Sequence, residues 1–114
     1  MKFKHQLVYD NSELIQYMLE GGDYNLSCLV VDTTLQNLTT KKKVIPIVSI
    51  YAQEDDMIWD LTLDREDIEE TLSKNLEIME KFEDYERCQE IVNGIKFIQS
   101  KNNNGNKTKN KTSS

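Results

Sequence analysis

Polar and apolar positions alternate at the start of the chain. In KFKHQLVY (2–9), Phe3, Leu7 and Tyr9 have the spacing of an edge strand. Asp10-Asn11-Ser12 then offers helix N-caps; Leu14, Ile15, Met18 and Leu19 follow at helical spacing, and Gly21-Gly22 supplies a stop. The pattern predicts a short helix. Residues 24–35 (YNLSCLVVDTTL) are rich in β-branched side chains, and the run Leu29-Val30-Val31 predicts a strand covered on both faces. After the polar turn 39–43 comes VIPIVSIY (44–51), the clearest strand in the chain. Its Pro46 lacks a donor and so belongs at an edge, a strand start or a bulge. Met57, Trp59, Leu61 and Leu63 alternate as in a half-buried strand, expected to pair antiparallel with 44–51 around the loop 52–56.

The last third changes period. Asp64 is placed to cap a helix, with Asp67 three residues on in a near capping box. Ile68, Leu72, Leu76, Met79 and Phe82 then form one apolar stripe. The register breaks at Glu83-Asp84, where Asp84 can cap a second helix carrying Tyr85, Cys88, Val92 and Ile95, widened by Ile91 and Ile98. Two such helices with almost no linker are expected to fold back on each other. From Ser100 the chain reads SKNNNGNKTKNKTSS, without an apolar residue. The expected fold is therefore α+β over residues 1–100: a small, mainly antiparallel sheet of three or four strands, a short helix and a C-terminal antiparallel helical hairpin. A disordered basic tail is expected over 101–114. Ile45, Ile47, Val48, Ile50, Trp59, Leu72, Leu76, Met79, Val92 and Ile95 are the expected core.

Residues 76–98, LEIMEKFEDYERCQEIVNGIKFI, resemble the helical hairpin of UVR-type motifs. Tyr85, Glu86, Cys88 and Ile91 fit the pattern of a helix, an E-x-x-[FY]-E-x-[AC] turn and a second helix, with Glu83 two rather than three residues before Tyr85. The resemblance implies a protein–protein contact hairpin of the kind found in nucleotide-excision repair subunits and related adaptors.

Composition narrows the function classes. Ala and Pro occur once each, Gly four times and Arg twice, against twelve Lys and ten Asn. This depletion of residues with GC-rich codons points to an AT-rich genome, such as that of a bacteriophage or mobile element. Neither a membrane-length apolar run nor a signal-peptide core is present, so the expected location is cytoplasmic. Cys28 and Cys88 stand alone in apolar contexts and read as buried free thiols. His5 is the only histidine, on an expected edge strand, and no nucleophile or phosphate-loop motif accompanies it. Asp56, Asp60 and Asp64 would share one strand face but span about 26 Å, too far for one ion. The expectation is a protein that is not an enzyme and uses neither cofactor nor metal.

Charge is the remaining signal. Residues 54–90 hold fifteen acids against four Lys or Arg, while 1–53 balance and 91–114 carry five Lys and no acid. On the two C-terminal helices, Glu69, Glu70, Glu77, Glu80, Glu83, Asp84, Glu86 and Glu90 are the candidate partner-binding residues. Pairs such as Glu77–Lys81 and Glu83–Arg87 are expected to neutralise part of this surface. The fitting partner is a protein with a basic surface, such as a nucleic-acid enzyme; direct nucleic-acid or membrane binding by the folded part is not expected. The alternative is a structural or assembly component that forms homo-oligomers through the hairpin.

Overall fold

The computed structural model describes residues 2–113, with side chains described for 2–20 and 22–101. The order is β1 (Gln6–Tyr9), α1 (Ser12–Gly21), α2 (Tyr24–Gln36), β2 (Val44–Ala52), β3 (Met57–Asp64), a 3-10 turn (Arg65–Asp67), α3 (Ile68–Lys81) and α4 (Tyr85–Ser113). The fold is α+β, with a three-stranded sheet and four α-helices among the described residues. From residue 102 on, the expected disordered tail lies outside the described side chains.

The sheet is mixed rather than mainly antiparallel. Its order is β1-β2-β3, with β1 parallel to β2 and β3 antiparallel to β2. The reason lies in residues 24–36, which form helix α2 and not the expected strand. With α1 and α2 between them, β1 and β2 are joined by a helical crossover, which favours parallel strands. Local signals start α2 firmly. Gly22, left-handed at φ 71°, ends α1, and the Asp23 side chain accepts from Leu26 N at 2.9 Å as the next N-cap. Once begun, the helix buries Leu26, Ser27, Val31 and Thr34, a stripe at helical spacing.

Pro46 sits beside a bulge: the β2–β3 register shifts between Pro46 and Val48. Both Ile47 and Val48 are consequently buried on the inner side. Pro46 pairs with Thr62 opposite β3, whereas β1 reaches only Ser49–Ala52. The missing donor therefore interrupts no ladder.

α2 packs on β2, and α3 and α4 pack against α2 and each other. Of the expected core, Ile45, Ile47, Val48, Ile50, Leu72 and Met79 are fully buried, while Trp59, Leu76 and Ile95 are partly buried against them. Ile15, Leu26, Val31, Ala52, Leu63, Ile68 and Ile91 are buried with them. On α4 the buried stripe is rotated from the expected one: Ile91 is its middle, and Tyr85 lies 66% exposed. Gly94 lets the helices approach, since a Cβ there would lie 2.7 Å from Leu35 Cδ2. Gln99 Nε2 donates to Glu69 Oε2 at 3.1 Å, so the far part of α4 meets the start of α3 and the two run in opposite directions. Asp64 and Asp67 make no side-chain capping bond; the 3-10 turn intervenes before α3. Among the described residues no helix is long and apolar enough to cross a membrane.

Candidate functional site

A polar cluster that ties three elements lies where α2 meets the start of α4. α3 ends at Lys81 with Phe82 as its C-cap, and Glu83 takes a left-handed conformation, φ 58°. Asp84 N then donates back to Met79 O at 2.8 Å, closing a Schellman-type turn. This turn points Asp84 at two elements. Its Oδ1 accepts from Arg87 N at 3.2 Å, capping α4, and its Oδ2 accepts from Arg87 Nη1 at 2.8 Å and from the Tyr24 hydroxyl at 2.7 Å. Arg87 also grips Asp32 on α2 with two bonds, Nε to Oδ1 at 3.0 Å and Nη2 to Oδ2 at 2.8 Å. The fork geometry of the guanidinium makes this a clamp that fixes both distance and orientation. The Tyr24 and Phe82 rings, 5.0 Å apart, close its apolar side.

Each protonation state follows from these contacts. Asp84 is held below the usual carboxylate range, first by Arg87 and then by Tyr24. The hydrogen bond to Asp84 pushes the Tyr24 phenol up to about 12. Arg87 is held charged, chiefly by Asp32 and then Asp84. Burial raises the Cys88 thiol, and Glu80 and Asp84 add to the effect. A nucleophile would need the opposite shift. Cys28 and Cys88 are both free thiols, half-buried rather than fully buried. Beside the clamp is an open groove of about 500 Å³, with Asp32, Leu35 and Gln36 on one wall and Glu86 and Glu90 on the other.

No match links this chain to a protein-family model, a curated protein or a solved structure. Its chemistry therefore has to be read from its own side chains.

The structure brings Asp84, Glu86 and Glu90 together at the groove. Glu69 lies at the other end of the helix pair, bonded to Gln99, and Glu70 is paired with Lys74 at 3.2 Å. Glu77 and Glu80 are exposed along α3, and Glu83 is in the turn with the Tyr85 hydroxyl 3.4 Å away. Two expected pairings are replaced. Arg87 bonds Asp84 and Asp32 instead of Glu83, and neither Glu77 nor Lys81 is in an ion pair among the described residues. Asp32, in the segment expected to be a strand, sits on α2; Asp60 accepts from Ser49 Oγ at 2.9 Å. Among the described residues no group of three or more His, Cys, Asp or Glu has metal-binding spacing.

Asp32, Tyr24 and Arg87 had no motif to announce their joint role. The available signal was rarity: both arginines of this lysine-rich chain act as clamps. Arg65 donates to Lys42 O, to Asn37 O at 2.9 Å and to Thr40 Oγ1 at 2.8 Å, tying the loop before β2 to the entrance of α3.

Proposed function

We propose that the chain is a non-enzymatic protein-binding module whose acidic α3–α4 surface engages a protein with a basic face. The observation that carries this reading is the state of the carboxylates. Glu77, Glu80, Glu83, Glu86 and Glu90 are exposed, and among the described residues none is in an ion pair. They stand on two helices and the capped turn between them, and Arg87 clamps α4 to α2, so the backbone that carries the charges is held in place. Fixed carboxylates can imitate a row of phosphates, which suits the positive channel of a nucleic-acid enzyme. An inhibitor or modulator from a phage or mobile element is the sharpest form of the proposal, and the UVR-like pattern of 76–98 supports a contact hairpin.

The test is retention of basic proteins by the immobilised chain. Binding should fall steeply between about 50 and 500 mM salt. It should also be lost in a variant carrying Glu77→Lys, Glu80→Lys and Glu83→Lys. Retention indifferent to both changes would remove the proposal.

A second reading, self-association through the helix pair, is favoured by Phe82, Tyr85 and Phe97, which are large, apolar and exposed on these helices. Light scattering decides it: a mass that rises with protein concentration and ignores salt would favour the assembly role.

A further inference from the structure

β3 leaves one side of its backbone without a strand partner. It ends the order β1-β2-β3, and no strand lies beyond it among the described residues. Ser49 N donates to His5 O, so Ser49 faces β1, and the next residue, Ile50, faces its partner Trp59. Alternation then directs the N–H and C=O of Ile58, Asp60, Thr62 and Asp64 outward. Arg65 N, which donates to Lys43 O at 2.8 Å, obeys the same parity at the strand's end. At eight residues β3 is a long edge to leave bare.

Two features flank that edge. On the inner side is a groove of about 360 Å³ between β3 and helices α1, α2 and α3, with Leu26, Val30, Leu61 and Ile78 in its wall. On the outer side Ile58 is 67% exposed, and Asp60 and Asp64 project from alternate positions. Asp64, Asp67 and Glu70 line a second groove along the same strand, where Lys74 is the only basic residue and is paired with Glu70.

We infer that β3 is a strand-addition site for an extended segment of a partner protein in which basic and apolar residues alternate. The ladder of outward backbone groups would supply affinity. Apolar side chains beside Leu61 and Leu63 would enter the inner groove, and basic ones would stand opposite Asp60 and Asp64. Charge argues against a second copy as the occupant. A two-fold pairing centred on Asp60 opposes that residue to itself, one centred on Thr62 opposes Asp60 to Asp64, and the whole chain is at −6. The site uses none of Glu77, Glu80, Glu83, Glu86 or Glu90, so it stands or falls apart from the acidic-helix reading.

The experiment is an NMR titration of the ¹⁵N-labelled full chain with the blocked peptide Lys-Val-Lys-Val-Lys. A second peptide, N-methylated at its central lysine, keeps the charge and loses one ladder donor. The first should shift the amides of Asp60, Thr62 and Asp64 and slow exchange of the Thr62 amide. N-methylation, or Thr62→Pro in the protein, should weaken binding about tenfold or more. Should Thr62→Pro fail to fold, Asp60→Lys is the substitute and should weaken both peptides alike. Equal affinity for the two peptides, shifts centred on the α3–α4 glutamates, no binding at millimolar peptide, or a dimer that protects Thr62 without peptide would each overturn the inference.

Discussion

Asp84 shows how one side chain can serve three elements. It caps α4, receives the Tyr24 hydroxyl from α2 and pairs with the arginine that also holds Asp32. The linkage has opposite signs for its two titrating members. The Asp84 carboxyl is depressed on folding, so its contribution is full above the unfolded value of 3.8 and is lost as pH falls through the lower folded one. The Tyr24 phenol is raised, so its contribution is full below 10.0 and is lost as pH rises through about 12. Thermal melts across pH should therefore show a shallower acid limb in Asp84→Asn and a shallower alkaline limb in Tyr24→Phe. Limbs unchanged from the unsubstituted chain in both variants would remove this linkage. The acids of the first turn have local duties as well. Asp55 accepts from Ser12 N at 2.6 Å and Glu54 from Asn11 Nδ2 at 3.2 Å, so the β2–β3 turn fastens the start of α1. Part of the charge in 54–90 is thus committed to holding the fold, which leaves α3 and α4 as the freer portion.

Among the elements, legibility followed the strength of the periodic signal. β3, α3 and the described start of α4 were readable because their apolar positions recur at a single period, and β2 because it is a nearly unbroken β-branched run between two polar turns. α2 was not, because its buried stripe includes Ser27 and Thr34, which carry no hydrophobic signal, while Leu29-Val30-Val31 imitates a strand. Tertiary burial overrode the β-branched preference. That single misreading also hid the parallel pairing of β1 and the clamp, since Tyr24 and Asp32 reach Arg87 and Asp84 only from a helix. The candidate glutamates were legible as exposed helix positions; their division between the groove and the far end of the helix pair was not, because it depends on packing. That packing turns on Gly94, which meets Leu35 of α2, Leu38 just after it and Leu72 of α3. Gly94→Ala should be nearly neutral, since the helix gains about 1 kcal/mol while the Leu35 methyl must move. Gly94→Val should cost about 1–3 kcal/mol through overpacking, read as a lowered denaturation midpoint in urea.

For the whole molecule, the connection from β1 to β2 sets an order of events. The pairs β2–β3 and α3–α4 each join neighbours in sequence, whereas Gln6 finds Ser49 only after residues 10–43 have folded into two helices. Closing that span costs chain entropy that four strand residues repay only when everything between them is in place. β1 is thus the last strand to dock and the first to leave. Amide exchange should report it. Ser49 and Gln53, which donate to His5 O and Tyr9 O, should lose protection together through a partial opening. Ile50, which faces β3, should exchange only with global unfolding. Equal protection at all three amides would mean that the sheet opens as a single unit. Otherwise the native state includes a minor population with its N-terminal segment released and a second strand edge laid bare on β2.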